Sequence, residues 1–235
     1  LANSGAGIFC NNGNIEFNFN TIINNTSLGF GNFDPVGGGL VLNSGTHNLN
    51  WNTISNNSAS GLSNCGTGGG LHCGSGTTIT IVNCNFEYNS IGASQCGAGG
   101  AISIYGGSIT ISESTFSNNS SSFYGGAIGT YYSLISLNIS KCGFFNNSAI
   151  HGGSLYLSAT IGFGIIAVEN SIFNNNSASA TSGMGGAILF ASSINSNFTN
   201  ISILNNMSFK GGAIYCTLNN DFIAKNCIIY GNTAT

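Results

Sequence analysis

Arginine is absent from the 235 residues, and only three lysines, Lys141, Lys210 and Lys225, stand against six acids. Charged residues make up 4 % of the chain, which leaves no basic patch for nucleic acid and no charge run for a membrane surface. The longest nearly apolar run, Ala159 to Val168, falls far short of the roughly 20 residues that a spanning helix needs, so this segment is not expected to insert into a membrane. No charged-then-apolar leader precedes Leu1, and the chain is expected to be a mature or internal piece of something longer. The acids Glu16, Asp34, Glu87, Glu113, Glu169 and Asp221 are scattered, without the paired carboxylates of a lyase or hydrolase. Metal-ligand spacing of the C-x-x-C kind is missing as well. No catalytic residue, metal or cofactor is expected.

What the chain has is Gly, Asn, Ser, Thr, Ile and Phe in a repeating order. A glycine pair, a small residue and an aliphatic recur, with the aliphatic at Ile8, Leu40, Leu71, Ile102, Ile128, Leu155, Ile188 and Ile214. A second landmark keeps step at Ile22, Ile54, Phe86, Phe116, Phe144, Ile172, Ile203 and Ile228. Three residues beyond it stand Asn25, Asn57, Asn89, Asn119, Asn147, Asn175 and Asn206, then Gly231. Two landmarks in phase over 26 to 33 residues mark a solenoid, one domain over residues 1–235.

Within each period, apolar residues alternate with polar ones. Phe17, Leu49, Ile81, Ile111, Ile139, Ala167, Phe198 and Ile223 form one column, and Ile15, His47, Ile79, Ile109, Leu137, Ile165, Ser196 and Asp221 another. Cys10, Leu42, Cys73, Ile104, Thr130, Leu157, Phe190 and Cys216 form a third, after the glycines. Period-two alternation means strands with one buried face. Three short strands per period, with Gly and Asn at the corners, predict an all-β fold, a right-handed parallel β-helix of about eight coils. Asn tolerates the left-handed region, and stacked Asn side chains can hydrogen-bond from coil to coil, so the recurrent Asn are expected to form a ladder.

The motifs Gly-Gly-Ala-Ile at 99–102, 125–128, 185–188 and 211–214, with Phe-x-x-Asn at 86–89, 116–119 and 144–147, resemble the repeats of the chlamydial polymorphic outer-membrane proteins and similar protist surface proteins. The resemblance implies a right-handed β-helix displayed outside the cell, often adhesive.

Eight cysteines and many Asn-x-Ser/Thr triplets point to the secretory route and an oxidising exterior. Cys65 and Cys96 each lie six residues before an aliphatic landmark in successive coils, within reach of a disulfide. Cys84 and Cys142 share a column two coils apart and are expected to be buried thiols. N-linked glycans are expected on the outward column, at Asn138, Asn197 and Asn200, and at the corner residue before the ladder, Asn24, Asn56, Asn118 and Asn146. Glu113, Lys141 and Glu169 precede the second landmark in consecutive coils and predict a surface charge ladder.

The segments after each Asn corner read as loops of variable length, best equipped in the first by Phe30, Phe33 and Asp34-Pro35. Joined head to tail, Thr235 and Leu1 would place the next aliphatic landmark 29 residues on, inside the internal range. These features point to an extracellular structural rod, with copies of itself as partners, stacked non-covalently or in one longer chain. An adhesin segment acting through its loop edge is the alternative, and a polysaccharide-active enzyme a third.

Overall fold

The computed structural model describes residues 5–29, 34–61, 65–93, 96–159, 165–178, 181–192, 194–217 and 220–235. Among these, all regular structure is β-strand and all named strand pairing is parallel, one coil under the next. The strand after the glycines and the strand that follows it belong to one 14-stranded sheet; in two coils they fuse into single strands, Ile102–Ser112 and Ile128–Ser140. The second landmark forms an eight-stranded sheet running from Thr21–Ile23 to Ile228–Tyr230. The chain thus passes eight times through the solenoid and makes seven coil-on-coil interfaces there.

A further eight-stranded sheet, from Thr26–Gly29 to Thr233–Ala234, begins where the sequence had suggested loops. Its inward column is Ser27, Ala59, Ile91, Ser121, Ala149, Ala178 and Ser208, all buried. Apart from Ile91, these residues are small or polar and carry almost no hydrophobic signal. That is why this sheet is silent in the alternation pattern.

The core is built from columns rather than layers. Leu42, Cys73, Ile104, Thr130, Leu157 and Phe190 are fully buried beneath the first strand. Phe86, Phe116, Phe144 and Phe173 stack face to face, with centroids 4.9, 4.8 and 4.6 Å apart. Offset rings at this separation add about 0.5–1.5 kcal/mol per pair to the burial of each side chain.

The glycine pair has two different jobs, clearest at Gly125 and Gly126. Gly125 turns with a φ of 60°, in the left-handed region. Gly126 is needed for space: a Cβ there would lie 2.2 Å from the Gly153 carbonyl oxygen and 2.5 Å from the Ser148 nitrogen. Only hydrogen fits between successive coils at that point.

In two coils the register differs by one residue from the sequence expectation. Phe144 pairs with Phe173, not Ile172, and Ile203 pairs with Ile229, not Ile228. Ile139 accordingly pairs with Val168 and Leu137 with Ile166, displacing Ala167 and Ile165 from the inward columns. Phe222 and Ala224 likewise take the places expected for Asp221 and Ile223. A one-residue slip exchanges the two faces of a strand. The observed register buries Ile166 and Val168 completely and leaves Ile165 57 % exposed; the alternative would expel both and break the phenylalanine stack.

Candidate functional site

The corner that ends the second-landmark strand carries an axial chain of asparagines. Asn57, Asn89, Asn119, Asn147 and Asn206 are fully buried there, and Asn25 begins the series. Each Nδ2 donates twice: Asn119 Nδ2 donates to the Phe86 carbonyl at 2.9 Å and to Asn147 Oδ1 at 3.0 Å. Each Oδ1 accepts the backbone N–H and the Nδ2 of the preceding coil's Asn, as Asn119 Oδ1 does from Asn89 at 3.0 and 3.1 Å. The amide group is thereby saturated: it bonds the preceding coil through Asn89 and the Phe86 carbonyl and the following coil through Asn147.

Asn175 is not part of this chain. Asn176 takes its place, bonded to Asn147 and Asn206, and Asn232 completes the series where Gly231 was aligned. The cause is the register shift of the same two coils. Asn175 instead stands exposed with a φ of 58°, in the corner position shared with Asn24, Asn56, Asn118 and Asn146. The run Asn174-Asn175-Asn176 hid this, because sequence spacing alone does not choose among three adjacent Asn.

A second polar corner lies between the fused sheet and the second-landmark sheet. Asn52 N–H donates to Cys84 Sγ, Cys84 N–H to Ser114 Oγ at 3.0 Å, and Cys142 N–H to Ser171 Oγ at 3.0 Å. Cys84 and Cys142 are buried free thiols; Cys84 Sγ accepts from Asn52, and Cys142 Sγ donates to the Ser140 carbonyl at 3.2 Å. Burial pushes both up, Cys142 to about 11, and pushes Cys73 up as well, so none is a thiolate nucleophile near neutral pH. Cys65 and Cys96 face each other in register on the paired strands Cys65–Thr67 and Cys96–Ala98, and their side chains lie outside the described residues.

Lys141 Nζ lies 3.0 Å from Glu113 Oε1, an ion pair with side chains 64 % and 45 % exposed. Glu169 pairs with Ser140 in the strand, one position before the corner, and Asn170 takes the place beside Lys141 with the same left-handed backbone. The three-member charge ladder is therefore a pair. Among the described residues, no group of three or more His, Cys, Asp or Glu could hold a metal ion. Nor, among these described residues, is any helix long and apolar enough to cross a membrane.

The other acceptor asparagines lie where sugar would have access. Asn138 and Asn197 are exposed on outward strand positions, Asn200 is exposed at the left-handed corner beside Asn170 instead of in the outward column, Asn24, Asn56 and Asn146 are exposed at the ladder corner, and Asn118 is half-buried. Phe30 and Phe33 of the first long segment lie outside the described residues.

One coil from corner to strand contains Glu113, Phe116, Asn119, the glycine pair Gly125-Gly126 and Ile128. Residues 113–131 match the Chlamydia polymorphic membrane protein repeat. Within this polymorphic membrane protein repeat, Phe116 belongs to the ring stack, Asn119 to the amide chain and Gly126 to the tight coil contact. Its recurring residues are thus the ones that join each coil to the next. No curated protein and no solved structure matches the chain.

Proposed function

We propose that this chain is an extracellular structural protein, a rigid β-solenoid rod displayed at a cell surface or assembled into a fibre or coat, without enzymatic activity. The observation that carries the reading is the amide chain along one corner. It offers the same donors and acceptors at each interface, so coils add in register, within one longer polypeptide or between copies stacked head to tail. The match to the polymorphic membrane protein repeat supports a surface location. Exposed acceptors such as Asn138 and Asn197 support N-linked glycans, and the register of Cys65 opposite Cys96 supports a disulfide that clips two coils in an oxidising exterior.

Negative-stain images of the purified protein test this directly. Eight coils at about 4.8 Å give rods on the order of 40 Å long, and stacking extends them into filaments as concentration rises. Rods of one short length at every concentration would favour the adhesin alternative, in which a single segment binds through its edge.

A further inference from the structure

One outer flank of the solenoid holds an open groove of about 610 Å³. Its rim on one side is the column following the first strand, where Asn43, Gly74, Tyr105 and Tyr131 succeed one another by coil, and on the other the column of Val36, Thr67, Ala98 and Tyr124. Between them the strand's outer face contributes His72 to the groove lining, with Ser103 fully buried in the next coil. Tyr124 is held against Tyr131 edge-on at 6.2 Å and against Tyr156 at 4.4 Å, while Tyr105 leans on His72 at 6.4 Å. The pairing of Ile102–Ser112 with Ile128–Ser140 shifts register between Ile104 and Gly106, the point at which Tyr105 emerges. Such irregularities re-aim side chains, often beside binding sites.

The charge of the groove narrows its ligand. Among the described residues that line it, Asp34 is the only Asp, Glu, Lys or Arg, and burial holds His72 far below its usual range, at about 4. An anionic ligand would find no cation among these described residues. A pyranose has flat C–H faces that suit tyrosine rings and a rim of hydroxyls that suits a carboxylate and an Asn amide. Pockets of this kind, apolar with a few polar groups, fix a ligand by those edges. We propose that this groove binds a neutral saccharide, with Tyr105 and Tyr131 as stacking faces and Asp34 and Asn43 as hydroxyl partners. The site adds a binding activity to the rod and does not depend on filament formation.

The test is isothermal titration with saturation-transfer NMR on the intact chain, using maltotriose, cellotriose, lactose and di-N-acetylchitobiose as probes. The controls are 3′-sialyllactose, choline and a proline-rich peptide. At least one neutral probe is expected to bind saturably, with Kd on the order of 1 mM. Tyr131→Ala and Tyr105→Ala should each weaken it about tenfold, the loss of one aromatic contact, and Tyr131→Phe less than about threefold. Asp34→Asn, at an exposed residue, should weaken binding without altering the circular dichroism spectrum. No saturable binding by any neutral probe, binding confined to the controls, or binding unchanged in Asp34→Asn and both alanine variants would overturn the proposal. The filament images are an independent readout, so failure here leaves the rod standing.

Discussion

Replacing Asn119 by alanine should be among the most damaging single truncations in the chain, although it removes only a small polar side chain. The substitution deletes two buried donations, to the Phe86 carbonyl and to Asn147 Oδ1, at about 1 kcal/mol each net. It also strips the acceptor from the buried Asn89 N–H, while Asn89 Nδ2 keeps its bond to the Ile54 carbonyl. An orphaned buried N–H costs about 1–3 kcal/mol, which brings the total to about 3–5 kcal/mol. Asn25→Ala provides the internal comparison. Its Nδ2 bonds are exposed or part-buried, and Asn57 Oδ1 keeps the Asn25 N–H, so about 1 kcal/mol is expected. Guanidinium unfolding gives the two stabilities, and hydrogen exchange at the Asn89 amide reports the local break. Equal costs for Asn119→Ala and Asn25→Ala, with Asn89 still protected, would refute the reasoning.

Phe116→Ala removes the middle of a continuous ring stack and should cost about 3–5 kcal/mol by thermal or chemical denaturation. Gly126→Ala should prevent folding or shift the coil, whereas Gly76→Ala, with φ at 76° and nothing within 4 Å of the added carbon, should cost only about 1–2 kcal/mol. Lys141→Ala should change stability by less than about 1 kcal/mol, because its ion pair is largely solvated. Buried His72 is held to about 4, below its unfolded value near 6.5. The unfolded state therefore binds the extra proton between those values: His72's contribution is complete above about pH 6.5, falls as pH drops, and is lost below about pH 4. His72→Gln should flatten stability across that window in a pH series of denaturation curves.

The columns at Ile81, Ile111 and Ile139 were legible because Thr80, Thr110 and Asn138 between them are polar, so each strand's phase was unambiguous. Around Ile172 and Ile228 the phase was lost, since Ile165-Ile166, Ile172-Phe173, Phe222-Ile223 and Ile228-Ile229 place apolar residues on both faces. Those strands were resolved by packing, which matches ring to ring and amide to amide across neighbouring coils. The tyrosine groove left no trace in the alternation pattern. Tyr124 comes from a different column from Tyr105 and Tyr131, and the outward face of the first strand holds buried Val41, His72 and Leu189 in place of polar residues. Only the alignment of coils in three dimensions brings them to one flank.

Spin-label distances along one outward column test the central claim of coil-on-coil register most directly. Glu16, Asn48, Thr80, Thr110, Asn138, Ala167 and Asn197 succeed one another by pairing, one per coil. Labels at 16 and 138 should be about 19 Å apart and labels at 16 and 197 about 29 Å, a constant increment of about 4.8 Å per coil. Distances that do not grow linearly with the number of coils would contradict the account.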